Sequence, residues 1–210
     1  ATIGTICREK GVYFIVDAIQ SLGQLPVDVK NTPIDILTAD AHKWMLGPEG
    51  IGIFYCARHM TEQLKLYEVG WNSMQDAGNY DSYDATPAST ARRFECGALN
   101  TMGIYALKAA VDLLNEVGVG HIEDRLSLLT NTLVDRLIKN GYTILSPRGI
   151  QEGSGIVTFK SERYETGVLH KTLRSHHIIG AKRGGGIRIS PHFYNTEEEV
   201  LRVVDTLPNH

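Results

Sequence analysis

A lysine that follows a predicted strand is the side chain in this sequence best suited to covalent chemistry. The apolar run of residues 34–37 predicts a buried strand, and the glycines and proline that follow Lys43 predict an abrupt turn. A lysine held between buried elements is partly desolvated, so its neutral, nucleophilic amine becomes accessible for a Schiff base. The simpler interpretation is a solvated surface lysine beside a turn, and the spacing alone favours it.

An acidic residue at the end of a second predicted strand changes that balance. Residues 11–16 include a continuous apolar run typical of a buried parallel strand, and Asp17 follows it. Because ligands of open α/β sheets bind at the carboxyl ends of strands, we expect Asp17 and Lys43 to face one crevice. A pyridoxal phosphate cofactor needs both groups, a lysine for its aldehyde carbon and a carboxylate that keeps its ring nitrogen protonated.

Four ordered motifs carry a resemblance to a known family. They are Val16-Asp17-Ala18-x-Gln20-x-x-Gly23, Asp40-x-His42-Lys43-Trp44-x-x-Gly47-Pro48-x-Gly50-x-Gly52, Arg93-Phe94-Glu95-x-Gly97-Ala98-x-Asn100 and Gly186-x-Arg188-x-Ser190-x-His192-x-Tyr194-Asn195-Thr196. With these motifs the sequence resembles the class V aminotransferase family, which includes cysteine desulfurases, selenocysteine lyases and isopenicillin-N-epimerase-like proteins. Four motifs in the family's order across most of the chain are far more specific than any one of them.

The resemblance implies an α/β fold, that of the fold-type I pyridoxal-phosphate-dependent transferases. Residues 1–116 are then expected to be the C-terminal part of the large, mainly parallel-sheet cofactor domain, and residues 117–210 the small C-terminal α+β domain. Residues 3–10 have the pattern of the last turns of a helix that begins earlier. Family members carry an upstream segment that cradles the cofactor phosphate and stacks on its ring, so we expect this chain to be part of a longer enzyme.

The resemblance also implies a role for individual residues. Lys43 forms the Schiff base and then carries protons to and from the substrate Cα. Asp17 pairs with the pyridinium nitrogen, Gln20 donates a hydrogen bond to the phenolic oxygen, and His42 lies by the phosphate. Arg188 clamps the substrate α-carboxylate, which a planar guanidinium binds with two hydrogen bonds. Outside its motif, Arg188 would be interpreted as a surface arginine on a strand.

Several departures from the family pattern bear on the reaction. Asp40 replaces a phosphate-binding serine of the desulfurases, and we expect it to bond to the backbone or to His42. Ala98 replaces a threonine that reaches the cofactor phosphate of the neighbouring subunit, which weakens cofactor binding across the dimer. Residues 176–187 contain no cysteine where desulfurases carry their persulfide-forming nucleophile, and Cys96 is better explained as a small buried residue. Persulfide chemistry is therefore disfavoured.

Hydrophobic periodicity predicts the remaining elements. The predicted helices cover residues 58–65, 102–117, 122–140, 165–175 and 196–207, and the predicted strands cover residues 51–56, 142–145, 155–160 and 178–182. Three consecutive glutamates follow Thr196, a helix-capping residue, and acids are favoured in the first turn of a helix. This cluster therefore predicts the start of a helix rather than a metal site. Trp71 either lies near the active site, as the Gly-Trp of relatives does, or anchors its loop.

Composition excludes several classes of partner. The formal net charge is −3 over 210 residues, so no basic field favours nucleic acid or an anionic membrane. No apolar run approaches the roughly 18 residues of a membrane span, and residues 1–10 lack the features of a signal peptide. Three cysteines without metal-ligand spacing suit reduced thiols and no metal. We expect a cytoplasmic homodimer that acts on a small amino acid.

The sequence thus predicts a pyridoxal-5'-phosphate-dependent enzyme that works through Lys43. Transamination, epimerisation and cleavage of a C–S or C–Se bond all remain open, because each needs only the lysine and the cofactor. The alternative is a non-catalytic assembly or interaction domain derived from the same fold, for which the missing upstream cradle and Ala98 argue. Against it stands the joint retention of Lys43, Asp17, Gln20 and Arg188, which have no use without a cofactor.

Overall fold

A computed structural model gives the structure of the chain and describes residues 1–149 and 152–209. The chain forms two compact units, Ala1–Glu116 and Val117–His210. The first unit begins with helix α1, Thr2–Lys10, which ends at Gly11 in the left-handed conformation (φ 65°). Glycine is the residue that adopts this conformation most easily, and the helix end is therefore where the sequence predicts it.

Three strands form the sheet of the first unit, in the order β1-β2-β3. They are β1, Ile15–Asp17, β2, Ile36–Asp40, and β3, Gly52–Cys56. β1 and β2 are parallel and place Asp17 opposite Thr38, whereas β2 and β3 are antiparallel and place Asp40 opposite Gly52. Asp17 and Asp40 therefore lie at the same edge of the sheet, where β1 and β2 end.

Strand β1 is shorter and more exposed than its sequence predicts. It has three residues, and Ile15 is 62% exposed, so the prediction of a buried strand through residues 11–16 is wrong for this chain. The physical reason is its position, because among the described residues β1 pairs with β2 alone. The central strand β2 behaves as predicted and buries Ile36, Leu37 and Ala39.

The segment between β3 and the next helix is mostly irregular. The helix predicted over residues 58–65 is replaced by a short 3₁₀ turn, Arg58–Met60, since Met60 is the one apolar residue fully buried there and no continuous apolar face supports a longer helix. Two further 3₁₀ turns are Trp71–Ser73 and Ala91–Phe94. The guanidinium of Arg92 fastens this segment by donating to three backbone carbonyls, those of Asn72, Met74 and Gln75, at 2.8–3.2 Å.

Two long helices follow where the apolar spacing predicts them. They are α2, Thr101–Val117, and α3, Val119–Lys139, separated by Gly118 with φ 87°. α3 buries a regular apolar stripe, as residues three or four apart on one helix face do. The stripe consists of Ile122, Leu126, Leu129, Leu133 and Leu137. Within the described part of the chain, no helix is both long and apolar enough to cross a membrane.

The second unit packs α3 and two further helices against an antiparallel sheet of order β4-β5-β7-β6. Its strands are β4, Thr143–Ile144, β5, Val157–Lys160, β6, Ala181–Arg183, and β7, Gly186–Ile189, and its helices are α4, Thr166–Ser175, and α5, Glu197–Thr206. β6 begins three residues later than the predicted strand over 178–182. His177 explains the delay, because its positive φ of 62° turns the chain after α4.

Helix α5 begins with the capping arrangement that its sequence predicts. Thr196 Oγ1 accepts a hydrogen bond from the Glu199 amide at 3.2 Å, and Glu199 Oε2 accepts one from the Thr196 amide at 2.8 Å. The Thr196 amide, and after it the side chain of Asn195, hold the pKa of Glu199 below its ordinary value. The three glutamates therefore serve the start of the helix.

Tyr142 makes the stability of the second unit fall as the pH rises in the alkaline range. Its hydroxyl donates to the Pro208 carbonyl at 2.7 Å, and its ring lies edge-on to Phe159. Burial, with a smaller contribution from the neighbouring Tyr164, raises the pKa of Tyr142 from 10.0 to about 12. The folded state thus holds this proton more tightly than the unfolded chain, so the stabilisation is complete below pH 10 and is lost as the pH rises through about 12.

We therefore expect Tyr142→Phe to lower the free energy of unfolding by about 0.5–1.5 kcal/mol near neutral pH, where the lost hydrogen bond dominates. The difference from the unchanged chain should shrink above pH 10, because only the unchanged chain carries the proton that is lost. Denaturant unfolding of both proteins near pH 8 and near pH 11 measures this. A difference that stays constant between the two pH values would contradict the assignment.

Candidate active site

Two loops at the carboxyl ends of β1 and β2 form the candidate site. The first, here the β1 loop, is residues 18–25, and the second, the lysine loop, is residues 41–50. The β1 loop starts from the fully buried Ala18, whose amide donates to the Thr38 carbonyl at 2.7 Å. The amides of Ser21 and Leu22 then donate back to the Ala18 carbonyl. This tight turn places Gln20 directly beyond the strand that carries Asp17.

The lysine loop is closed by its own backbone. The Ala41 amide donates to the Ile51 carbonyl at 3.0 Å, the Gly47 amide to the Ala41 carbonyl at 2.9 Å, and the Leu46 amide to the Lys43 carbonyl at 3.1 Å. Leu46 has φ 57°. This conformation is energetically unfavourable for any residue other than glycine, and residues that adopt it cluster at functional sites. Lys43 is thus carried on a backbone held in one conformation.

The two loops pack on each other at Gly23. A Cβ atom at this position would lie 2.4 Å from the Trp44 carbonyl oxygen, and Gly23 has φ 100°. Both facts allow only glycine, since other residues lack the space and disfavour this φ. The glycine at the end of the first motif therefore lets the β1 loop approach the backbone beside Lys43.

A side-chain hydrogen bond joins the same two loops. The indole Nε1 of Trp44 donates to Oε1 of Gln20 at 2.9 Å. Trp44 is 6% exposed, whereas the Gln20 side chain lies at the exposed surface. The side-chain amide of Gln24 also donates to the Gln20 backbone carbonyl. Gln20 is therefore held beside the residue that follows Lys43.

A cavity of about 300 Å³ lies over the three strands and is lined by residues of β1, β2 and β3 together with Ile19 of the β1 loop, whereas no residue of the lysine loop lines it. Asp17, Thr38, Asp40 and Phe54 contribute to its lining. Asp17 is exposed, and its Oδ1 accepts a hydrogen bond from the Ile19 amide at 3.1 Å, which orients the carboxylate. Asp40 makes no side-chain hydrogen bond to any described residue, so the predicted bond to the backbone or to His42 is not formed.

Lys43 is half-buried and His42 is exposed. Within residues 1–149 and 152–209, no carboxylate lies within ion-pair distance of the Lys43 amine. The first unit thus brings Asp17, Gln20 and Lys43 to one edge of one sheet.

Arg188 lies in the second unit, on β7, between Thr158 of β5 and Ala181 of β6. It is half-buried, and its Nε is buried with no hydrogen-bond partner among the described residues. A buried donor without a partner costs free energy, so this guanidinium is suited to an acceptor from outside the unit. A carboxylate is the acceptor that best matches its planar geometry.

The groups of the first unit fit a pyridoxal ring. Asp17 would supply a carboxylate for a protonated ring nitrogen, Lys43 an amine for the aldehyde, and the Gln20 amide a donor for the phenolic oxygen. The Trp44 bond supports the last assignment, because it occupies the oxygen end of the amide and leaves the nitrogen end.

Comparison with known proteins identifies the family of this chain. The family model described as "Aminotransferase class-V" matches residues 1–203, and the chain therefore belongs to the class V aminotransferase family, whose cofactor is pyridoxal 5'-phosphate. An uncharacterised aminotransferase of Bacillus subtilis, YcbU, is 35% identical over 207 residues, which are 98% of this chain and 53% of that protein. A probable cysteine desulfurase of Methanothermobacter thermautotrophicus is 30% identical, with 98% and 54% covered.

An isopenicillin N epimerase of Streptomyces clavuligerus is 29% identical, over 95% of this chain and 53% of that protein. The chain thus spans about half the length of the curated relatives it matches. Among solved structures, the apo cysteine desulfurase of Thermococcus onnurineus NA1 superposes with a TM-score of 0.87 at 27% identity, covering 97% of this chain and 53% of that one. Together with the mixed sheet of the first unit, this likeness confirms the predicted α/β fold of fold-type I.

The sequence does not predict what Trp44 does in the candidate site. Its place in the lysine motif is visible, but its bond to Gln20 joins residues 24 positions apart. The available signals are an indole N–H, which needs a partner when buried, and the motif glycine that packs on its backbone. These signals suggest that Trp44 has a partner without naming Gln20.

Proposed function

We propose that this chain supplies part of the active site of a pyridoxal-phosphate-dependent enzyme that acts on an amino acid. The observation that carries the proposal is that Asp17 ends β1 while Gln20 and Lys43 lie on the β1 and lysine loops, which pack on each other at Gly23 and through the Trp44–Gln20 bond. Lys43, Asp17 and Gln20 are three kinds of group that a pyridoxal ring requires at separate positions. Family membership supports the same conclusion.

When bound, pyridoxal phosphate supplies an electron sink for negative charge that develops at the substrate Cα. The chain's own residues hold the ring and move protons. Lys43 would hold the aldehyde through its amine, and the amine freed by the substrate would move a proton at Cα. Asp17 would hold the proton on the ring nitrogen, Gln20 would donate to the phenolic oxygen, and the exposed His42 would serve the phosphate.

Arg188 is proposed to bind the substrate α-carboxylate. The support is its buried Nε without a described partner and its position on β7, a strand paired on both sides. A strand with neighbours on both sides holds in one place the backbone from which the guanidinium extends. Binding of the substrate then fills a hydrogen-bonding capacity that the folded unit leaves open.

We expect Arg188→Lys to raise the KM for the amino acid by about 10- to 100-fold, because an ammonium cannot form the paired hydrogen bonds of a guanidinium. The change in kcat should be small, since the carboxylate is bound equally in the ground and transition states. Steady-state kinetics on the cofactor-loaded protein measure both constants. Arg183→Lys, on the neighbouring strand β6, is the matched control and should leave KM unchanged. An equal KM in both variants would contradict the clamp.

The reaction is proposed to be a transamination, an epimerisation or the cleavage of a C–S or C–Se bond. All three cysteines are free thiols and lie at positions 7, 56 and 96, and residues 117–210 contain none. A persulfide-forming cysteine of the second unit is therefore absent from this chain. Several relatives are named cysteine desulfurases, so L-cysteine is the substrate with which to test for a persulfide. Sulfur release from L-cysteine should leave no protein-bound persulfide on this chain.

A homodimer is part of the proposal, as is a cytoplasmic location. Asp17, Gln20 and His42 are exposed in this chain, yet a pyridoxal site must exclude water. We propose that a second subunit, together with the part of the enzyme that corresponds to the other half of the relatives, covers these groups. The substrate side chain would be recognised largely there and by residues 67–91.

Ala98 favours the second candidate function, a non-catalytic assembly or interaction domain. Its methyl group is exposed and offers no hydrogen bond to a phosphate. If nothing replaces the lost hydroxyl donor, cofactor binding is weaker by about 1.5–3 kcal/mol. This domain would retain the fold without holding pyridoxal phosphate.

A titration with pyridoxal phosphate separates the two candidates. It is followed by visible absorbance in this chain and in a version extended upstream. We expect a saturable absorption band that shifts when the correct amino acid is added. A band in the extended version alone would support the enzyme and show that this chain is not sufficient. No band in either version would overturn the enzyme proposal in favour of the non-catalytic domain.

A further inference from the structure

Gln20 is exposed, but two hydrogen bonds hold it in place. The Trp44 indole donates to its side-chain oxygen at 2.9 Å, and the Gln24 side chain donates to its backbone carbonyl. Gln24 and Trp44 are themselves 1% and 6% exposed. An exposed glutamine ordinarily samples several rotamers, so this one is ordered by donors that the core holds rather than by its own burial.

The Trp44 bond also decides which end of the Gln20 amide faces outwards. An indole N–H is a donor only, so it must meet the amide oxygen and never the amide nitrogen. The nitrogen, with two N–H donors, is then left on the other side, and no described residue accepts a hydrogen bond from it. The indole thereby turns an ambiguous amide into a donor of fixed direction.

We propose that Trp44 is a positioning residue that keeps the Gln20 amide nitrogen turned towards the phenolic oxygen of the cofactor. The inference rests on the proposed function, in which Gln20 serves that oxygen. An amide turned the other way would present its carbonyl to a phenolate, and two electron-rich oxygens repel. The packing of Gly23 on the Trp44 carbonyl keeps the indole at the distance that the bond requires.

The inference predicts a spectroscopic effect. A hydrogen bond to the phenolic oxygen draws negative charge away from the nitrogen of the neighbouring lysine linkage, which then holds its proton less tightly. Loss of the donor should therefore raise the pH at which the visible absorption of the bound cofactor changes. For Gln20→Ala we expect a rise of about 1 to 2 pH units, the size of one hydrogen bond to a charged group.

Trp44→Phe tests the positioning role, because it keeps the aromatic ring and removes the N–H. We expect the absorption midpoint to rise, by no more than in Gln20→Ala. In a Gln20→Ala background the same change should have no further effect, since a residue that acts through Gln20 has nothing left to orient. An equal shift of the midpoint in both backgrounds, or no shift in either, would overturn the inference.

Gln20→Glu separates the hydrogen bond that residue 20 accepts from Trp44 from the hydrogen bond that it donates to the phenolic oxygen. A carboxylate still accepts the Trp44 N–H but offers no hydrogen for the phenolic oxygen. We therefore expect the Trp44 bond to persist and the midpoint to rise at least as far as in Gln20→Ala. A midpoint unchanged by Gln20→Glu would overturn the inference even if Trp44→Phe failed to fold.

A measurement without cofactor completes the test. The chain has two tryptophans, so an NMR spectrum shows two indole N–H signals, which Trp71→Phe assigns. The Trp44 signal should exchange slowly with solvent in the unchanged chain and in Gln20→Glu, and at least tenfold faster in Gln20→Ala. Equal exchange rates of the Trp44 indole N–H in all three proteins would overturn this inference but not the proposed function. Failure of the protein to take up pyridoxal phosphate would overturn the proposed function with it, whatever the indole shows.

Discussion

The Lys43→Ala protein is expected to bind no pyridoxal phosphate covalently and to lose activity by at least about 10³-fold. Lys43 is the residue of the lysine loop that carries an amine, and the loop's backbone bonds hold it beside the Asp17 edge of the sheet. In the proposed function this one side chain has two tasks, holding the aldehyde and moving the proton at Cα. An alanine supplies neither, so the loss falls on kcat as well as on cofactor retention.

Lys30→Ala is the matched control, because Lys30 is an exposed lysine of the same unit. Both proteins are loaded with pyridoxal phosphate, reduced with borohydride and assayed with the amino acid that shifts the absorption band. The control should retain the covalent label and its activity. If Lys43→Ala kept either one at the control's level, another lysine would hold the cofactor.

The Phe159→Ala protein is expected to lose about 3–5 kcal/mol of the free energy of unfolding of the second unit. Phe159 is fully buried on β5, between Ile144 of β4 and Ile187 of β7, and its ring lies 5.4 Å from that of Tyr142. The neighbouring strand cannot move in to fill the space, because Gly186 already packs against the Phe159 backbone. The cavity therefore remains, and its cost adds to that of the lost apolar burial.

Ile179→Ala is the control within the same unit, since Ile179 is 84% exposed and its truncation should change stability by less than about 0.5 kcal/mol. Denaturant unfolding followed by circular dichroism compares the two. Phe159→Leu keeps most of the volume and provides a folded protein should the alanine variant unfold outright. A cost for Phe159→Ala no greater than that of Ile179→Ala would show that this sheet does not form the core of the unit.

The elements that sequence predicts well here are those decided by local patterns. Helices α2 and α3 follow from apolar spacing, and α5 from its Thr196 cap. Gly11 ends α1 because of its own backbone freedom. The positions of Asp17 at the end of β1 and of Lys43 just after β2 also follow from local motifs. Such features need no knowledge of what packs against them.

The failures occur where packing between distant residues decides. The pattern of residues 58–65 is helical, but Met60 is the one apolar residue of this segment that the core buries, so a short 3₁₀ turn forms instead. The apolar run before Asp17 predicts burial, yet β1 pairs on one side within the described residues. The bond from Trp44 to Gln20 depends on how two loops meet, and a one-dimensional pattern carries no record of that contact.

Peptide mapping after borohydride reduction tests the central claim most directly. The protein, in this chain and in the version extended upstream, is saturated with pyridoxal phosphate, reduced and digested, and the labelled peptide is identified by mass spectrometry. The proposed function predicts a stoichiometric label on the peptide that contains Lys43, and none in Lys43→Ala. A label spread over several lysines, or no label in the extended version, would contradict it.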